Sequence, residues 1–437
     1  MASKKESHHR YSLQTRLIYG ESVSKKWDYN HHVIPPISSS STFRLDTAKR
    51  GAQGFAEFAH TNGDVSVESK CPIYIYDRLG EPNKELLEEI LASAEGGEMA
   101  LTFSTGMSAI SAALGALTGY GDEIVAHRTL YGCTYSLLTN WYPRYNIKTQ
   151  FVDFKNAGAI RRAITERTRV LYFETPVNPT MELIDIAEVA EIARTINRHR
   201  RANRKLYVVV DNTFASPFCQ RPLSLGADFV VASLTKAICG FGTDMGGVVV
   251  GGRWSYDRLL LYRKDFGGTL AAKSAWPIMV YGLSSLPVRL KQQMANAMTI
   301  ATFLQHDPRI EYVCYPGLAS FPQHDLAQRQ MRDYDDNFAP GSLLYFAVKG
   351  KTPKARHDKG EKFINFLAEN AYTITLAVSL GHIRTLVEHP SSMTHSAIPL
   401  KEQVEKGIDP GGIRLSVGLE KVEDVIHDLS NALEHIG

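Results

Sequence analysis

No stretch of this sequence approaches the ~20 consecutive apolar residues that a bilayer-spanning helix needs, which argues against a helical membrane protein. An excess of one charge is missing too: 49 Lys and Arg stand against 46 Asp and Glu, a formal +3 over 437 residues. So close a balance gives no field for nucleic acid or an anionic membrane as the main partner. Cysteine is scarce. Cys71, Cys133, Cys219, Cys239 and Cys314 make an odd count of five, and no two sit at metal-ligand spacing. No disulfide framework and no metal centre are therefore expected, and the thiols read as reduced, in a reducing compartment. Met1 to Arg10 is polar and lacks the apolar core of a signal peptide, so the expected location is cytoplasmic. No internal repeat is found, and no low-complexity tract beyond the Ser38–Thr42 run. What remains is the composition of an enzyme, 44% hydrophobic and 22% charged, in a chain long enough for two or three domains.

Residues 1 to about 75 read as irregular, with a polar stretch from Arg50 to Lys70 that has few aliphatic side chains to bury. Such a segment is either disordered or draped over something else, such as a neighbouring subunit. From about 81 the pattern changes. Leu86, Leu87, Ile90, Leu91 and Ala94 recur at helical spacing, and Ile110, Ala113, Leu114 and Leu117 mark a second helix. Short apolar runs at Met99–Phe103, Glu123–Ala126, Thr149–Val152, Val170–Phe173, Leu206–Val210, Phe229–Ala232 and Gly247–Val250 read as buried strands. Strands alternating with helices predict an α/β fold with a mostly parallel sheet covered on both faces. After about 285 a long helix, Leu290–Gln305, leads into a smaller α+β region with spaced strands such as Ser342–Val348 and Thr373–Val378. The division expected is 1–80, an extended N-terminal segment; 81–285, the large domain; and 286–437, the smaller one.

Lys236 is the most informative residue. It closes Ser233-Leu234-Thr235-Lys236, straight after an apolar strand, while Asp211 ends another. An amine and a carboxylate at two strand ends suit pyridoxal phosphate (PLP): the amine forms a Schiff base with the aldehyde, and the carboxylate keeps the pyridine nitrogen protonated. The Ser233 and Thr235 hydroxyls can bond phosphate. Taken alone, the motif also fits a surface lysine after a core strand. Ser104-Thr105-Gly106-Met107-Ser108 joins a strand to a helix, where free N–H groups and the helix dipole favour an anion. A plain strand-to-helix turn reads the same way. Tyr131 can stack on a pyridine ring or act as an acid, or be a structural tyrosine. Asn178 can bond the ring hydroxyl, or belong to a proline-bracketed turn. In open α/β sheets ligands collect at strand carboxyl ends, so one crevice can hold Gly106, Asp211 and Lys236 together. The glycines of Gly240–Gly247 have the wrong spacing for a nucleotide loop.

Seven segments, Tyr76–Pro82, Ser104–Ser108, Glu174–Pro179, Asp211–Thr213, Ser233–Lys236, Ser379–Gly381 and Ile413–Gly418, resemble the Cys/Met-metabolism PLP-dependent enzymes in the same order, from about Tyr11 to the C-terminus. That group contains cystathionine synthases and lyases, homoserine sulfhydrylases and methionine γ-lyase. The resemblance implies the PLP-dependent transferase fold type I, similar to aspartate aminotransferase. It places Met107 and Thr213 with the cofactor, and implies that Tyr76 and Arg78 reach the phosphate of a neighbouring subunit. It implies that Ser379 and Arg414 hold the substrate α-carboxylate, for which a guanidinium is suited by its paired N–H groups. A homotetramer built from two catalytic dimers is implied as well.

Within the group three features resemble methionine γ-lyase: Cys133 after Tyr131-Gly132, the pair Lys264-Asp265, and the stretches Ala377–Leu386 and Glu388–His395. Cys133, Lys264 and Asp265 then belong to the substrate pocket. The expected activity is that of a PLP-dependent carbon–sulfur lyase, α,γ-elimination of L-methionine to methanethiol, 2-oxobutyrate and ammonia. Lys236 moves protons at the α and β carbons, Tyr131 protonates the leaving sulfur beside Cys133, and Arg78 lowers the Tyr131 pKa. The alternatives are γ-replacement, as in O-acetylhomoserine sulfhydrylase or cystathionine γ-synthase, cystathionine cleavage, or a non-catalytic binding protein with the same fold. Three departures stand out: Phe241 where the group has histidine, Asp77 and Glu81 where it has serine and asparagine, and a longer Arg50–Lys70 stretch.

Overall fold

The structure, a computed structural model, describes residues 11–20, 32–59, 73–393, 400–405 and 408–437. Its larger sheet has seven strands in the order β1-β7-β6-β5-β4-β2-β3. They are β1 (Met99–Phe103), β2 (Glu123–His127), β3 (Lys148–Val152), β4 (Thr168–Glu174), β5 (Tyr207–Asp211), β6 (Phe229–Ser233) and β7 (Gly247–Gly251). Only β7 runs against the rest, so β1 and β6, both antiparallel to it, point the same way and end on the same edge.

Apart from the edge strand β3, which is partly exposed, the strands are buried on both faces because they are largely apolar, and their alternation sorts the side chains. Val230, Val248 and Val250 pack with Leu86, Leu87, Ile90 and Leu91 of helix Pro82–Glu95. Val231 and Val249, one residue along, face Ile110, Ala113 and Leu114 of helix Gly106–Leu117. Helix Pro82–Glu95 starts where Glu81 accepts from the Asn83 and Lys84 N–H groups and Pro82 takes the first position; it stops at left-handed Gly96.

The second sheet has the order β10-β11-β12-β9-β8, with only β10 and β11 parallel. These are β8 (Ile310–Cys314), β9 (Leu343–Val348), β10 (Ile374–Leu376), β11 (Thr385–Glu388) and β12 (Gly412–Ser416). Its core is shared with helices Ser284–His306, Pro353–Asn370 and Val422–Ile436. A large mostly parallel α/β layer plus a smaller α+β sheet is the architecture expected from the sequence.

The N-terminal region is a correction. It was expected to be irregular up to about 75, but Leu13–Tyr19 and Ala48–Ala59 are helices. The first is capped by Ser12, buries Leu17 and reaches Ser93 through Arg16 at 2.8 Å, so it is held by packing that its own composition does not reveal. Cys71 and residues 60–70 of the Arg50–Lys70 stretch lie outside the described residues. Among the described residues no helix is long and apolar enough to cross a membrane.

Candidate active site

The candidate residues gather at the carboxyl edge of the large sheet. Where β1 ends, Thr105 is extended and its Oγ1 accepts from Ser108 N at 3.0 Å, starting the helix. The N–H groups of Gly106 and Met107 have no acceptor among the described residues. A Cβ on Gly106 would come within 2.9 Å of the Ser233 Cβ, so glycine brings the two strand ends together. Thr213 tightens this corner: its Oγ1 accepts from Ser233 N at 2.9 Å. The Thr235 hydroxyl is held by its own loop, accepting from Gly246 N at 3.1 Å.

Asp211 is buried, with Oδ1 accepting from Thr213 N at 2.9 Å and Oδ2 from the Tyr172 hydroxyl at 3.4 Å. No cation pairs with it among the described residues, and burial raises its pKa despite those hydrogen bonds. Lys236, past the next strand, is the opposite case. Its amine donates to Ser379 Oγ at 2.9 Å and has no ion-paired carboxylate among the described residues. Burial lowers its pKa, Arg414 lowers it further, and Glu388 pulls it back. A buried acid at the end of β5 and a partly buried base past β6 thus stand at adjoining strand ends, each without a counter-ion among the described residues.

Tyr131 precedes the short helix Gly132–Ser136 and is 44% exposed. Its hydroxyl accepts from Cys133 Sγ at 3.5 Å. That contact, then burial and nearby anions, pushes its pKa up to about 12. Its N–H donates to Glu174 Oε1 at 2.7 Å. Glu174 is paired in register with Asp211, and burial with that neighbouring charge lifts its pKa well above the carboxylate range. Sequence reasoning missed Glu174 as a site residue; an acid ending the apolar run of β4 was its signal.

On the small-sheet side, Ser379 takes a left-handed φ of 100°, unusual for serine. Its carbonyl accepts from Arg414 Nη2 at 2.8 Å, and Asn178 Oδ1 accepts from Nη1 at 3.0 Å. Asn178 is thus drawn to the arginine, which leaves its amide N–H groups for a ring hydroxyl. Glu388, also missed in the sequence, lies 3.0 Å from Arg414 Nη2.

Tyr76, Arg78, Lys264 and Asp265 form a separate group. Arg78 donates to the Lys264 carbonyl, its guanidinium lies 5.6 Å from the Tyr76 ring centroid, and Lys264 pairs with Asp265 at 3.5 Å. Among the described residues no hydrogen bond or ion pair within the chain joins them to Cys133 or Lys236. The departures have local causes. Asp77 pairs with buried Lys84 at 2.7 Å, Glu81 caps a helix, and Phe241 sits 5.5 Å from the Arg289 guanidinium.

Behind Asp211, Asn212 Nδ2 donates to both oxygens of buried Glu95, at 3.0 and 3.2 Å. Burial raises the Glu95 pKa from 4.5 to about 8. Between these values the folded state holds a proton the unfolded chain has lost, so stability falls as pH rises from 4.5 to about 8. Glu95→Gln keeps an acceptor for Asn212. Its Tm relative to the parent should be highest near pH 8 and lose that margin towards pH 4.5, measured by thermal melts across the range.

These residues fit PLP. Two free N–H groups at a helix start suit the phosphate, unpaired Asp211 suits a pyridinium nitrogen, Lys236 suits the aldehyde, and Tyr131 offers a face for the ring. The comparisons agree. Residues 14–434 match the family described as Cys/Met metabolism PLP-dependent enzyme. The L-methionine gamma-lyase of Porphyromonas gingivalis is 39% identical over 434 residues, 99% of this chain and 100% of that protein. The cystathionine gamma-lyase of Dictyostelium discoideum is 34% identical, covering 97% and 98%. The crystal structure of cystathionine gamma-lyase from Lactobacillus plantarum complexed with L-serine superposes with a TM-score of 0.80 at 29% identity, covering 98% and 99%. The chain is a PLP-dependent enzyme of fold type I. It belongs to the Cys/Met metabolism PLP-dependent enzyme family.

Proposed function

We propose that this chain is a carbon–sulfur lyase that converts L-methionine to methanethiol, 2-oxobutyrate and ammonia by α,γ-elimination. One observation carries the reading: Ser379 accepts from the Lys236 amine through its hydroxyl and from Arg414 through its carbonyl. An amino acid anchored by its carboxylate on Arg414 therefore presents its α-carbon to Lys236. Bound there, the cofactor would supply an aldehyde for the amino group and a protonated ring that withdraws electrons from the bonds being broken. Lys236, whose burial favours the neutral amine, takes the α-proton and then moves a β-proton, so that the electron pair left at the β-carbon expels the γ-sulfur. Tyr131, protonated at neutral pH, donates to the departing sulfur with Cys133 beside it. Its high pKa calls for a cation in the working site, and Arg78 from a second copy is the group proposed, together with Tyr76, Lys264 and Asp265.

The family relatives support methionine as substrate, since six of those matched at 37–39% identity are L-methionine gamma-lyases. We read the assembly as a homotetramer of two catalytic dimers in the cytoplasm, each chain divided as 1–80, 81–285 and 286–437. Purified protein given methionine with no added thiol or sulfide should accumulate 2-oxobutyrate and methanethiol. No product from methionine, with O-acetylhomoserine consumed only when sulfide is added, would replace elimination with γ-replacement. Tyr131→Phe should lower kcat by ~10²-fold or more, the size of a lost general acid.

A further inference from the structure

Strands β11 and β12 run antiparallel in a register that sets Glu388 opposite Arg414. Both side chains are buried, at 2% and 5% exposure, and their charged groups are 3.0 Å apart. The guanidinium is held from three sides, by Asn178 Oδ1, the Ser379 carbonyl and Glu388. Its Nε–H is nonetheless buried and has no acceptor among the described residues. A buried donor left unpaired is costly, and it marks the place where an acceptor is missing. The arginine thus carries one resident anion and still lacks a partner.

We propose that Glu388 is a positioning residue that sets how tightly Arg414 holds the α-carboxylate: it fixes the guanidinium in place and cancels part of its charge. The inference rests on the reading of Arg414 as the carboxylate anchor. A lone guanidinium in a crevice with little water would hold a carboxylate strongly. A second carboxylate in contact with the same guanidinium repels the incoming one and weakens it, which favours release of a carboxylate product. The charged and titratable groups facing Glu388 are Arg414 from β12, Lys236 from the loop after β6, and Tyr131 before helix Gly132–Ser136. Burial raises the Glu388 pKa, while Arg414 and then Lys236 hold it down.

Two substitutions separate charge from orientation. Glu388→Gln keeps an acceptor for Arg414 and removes the charge; Glu388→Ala removes both. Butanoate, which has a carboxylate but no amine or sulfur, is titrated calorimetrically into the cofactor-loaded protein. Relative to the parent, Kd should fall ~10-fold in Glu388→Gln and rise in Glu388→Ala, the span expected for removing one close charge or releasing its partner. The KM for methionine should follow the same order, with kcat changing less. Weaker or unchanged butanoate binding in Glu388→Gln overturns the inference and leaves the lyase reading intact. Tighter binding in that variant, with no 2-oxobutyrate formed from methionine by the parent, upholds the inference and removes the substrate reading.

Discussion

Lys236→Ala should abolish turnover while leaving the fold standing. Loss of a general acid–base group alone costs ~10²–10⁴ in rate, and this amine is also the proposed anchor for the cofactor aldehyde. The near-visible absorbance of the bound cofactor should shift or vanish with it. The fold should survive because the amine contributes little to stability: it makes one hydrogen bond to Ser379 and pairs with no carboxylate among the described residues. Burial lowers its pKa from 10.5, so below that value the folded state pays for keeping a charge that the unfolded chain solvates freely. The sign follows. Folded protein gains stability as pH rises through the depressed Lys236 value towards 10.5, and the alanine variant should lack that rise in Tm. A variant that keeps both turnover and absorbance would remove Lys236 from the chemistry; one that melts far below the parent at neutral pH would make it a structural residue.

Much of this crevice was legible in the chain because α/β architecture writes itself plainly. Buried parallel strands are short apolar runs, and a polar residue ending such a run lies at a sheet edge. Asp211 and Ser233 each close such a run and are the last residues of β5 and β6. The carboxylates were harder. Glu174 looks like one more strand terminus until its register partner is seen to be Asp211. Glu388 and Arg414 sit on buried strands of four and five residues, where charges break the apolar pattern by which strands are found. Their pairing depends on an antiparallel register between segments separated by the 394–399 region, which no local spacing encodes. The helix Leu13–Tyr19 was missed for a related reason: only Leu17 is buried, and its stability comes from packing against a distant helix.

Co-expressing Lys236→Ala with Arg78→Ala should restore activity that neither variant has alone. Arg78 is exposed on the single chain and touches Lys264 and Tyr76. No bond among the described residues ties it to Lys236 or Tyr131 of its own chain. Meanwhile Tyr131 is exposed, and its hydroxyl pKa, about 12, is set by neighbouring groups with no cation among them. The proposed acid has no cation beside it among the described residues, and Arg78 and Lys264 make no bond to Lys236 or Tyr131 of their own chain among them. The proposed two-fold pairing would bring the two together, since an isologous interface exchanges the same patch in each direction. In a mixed dimer one site then combines intact Lys236 from one chain with intact Arg78 from the other, while the second site lacks both. Random pairing places about a quarter of all sites in the intact class, so specific activity should recover to about that fraction of the parent. Should Arg78 serve the site of its own chain instead, no mixed dimer contains a complete set, and the mixture stays as inactive as its components. The outcome also tells a catalytic dimer from an assembly of independent chains, because recovery requires that the two variants share an interface through the crevice itself.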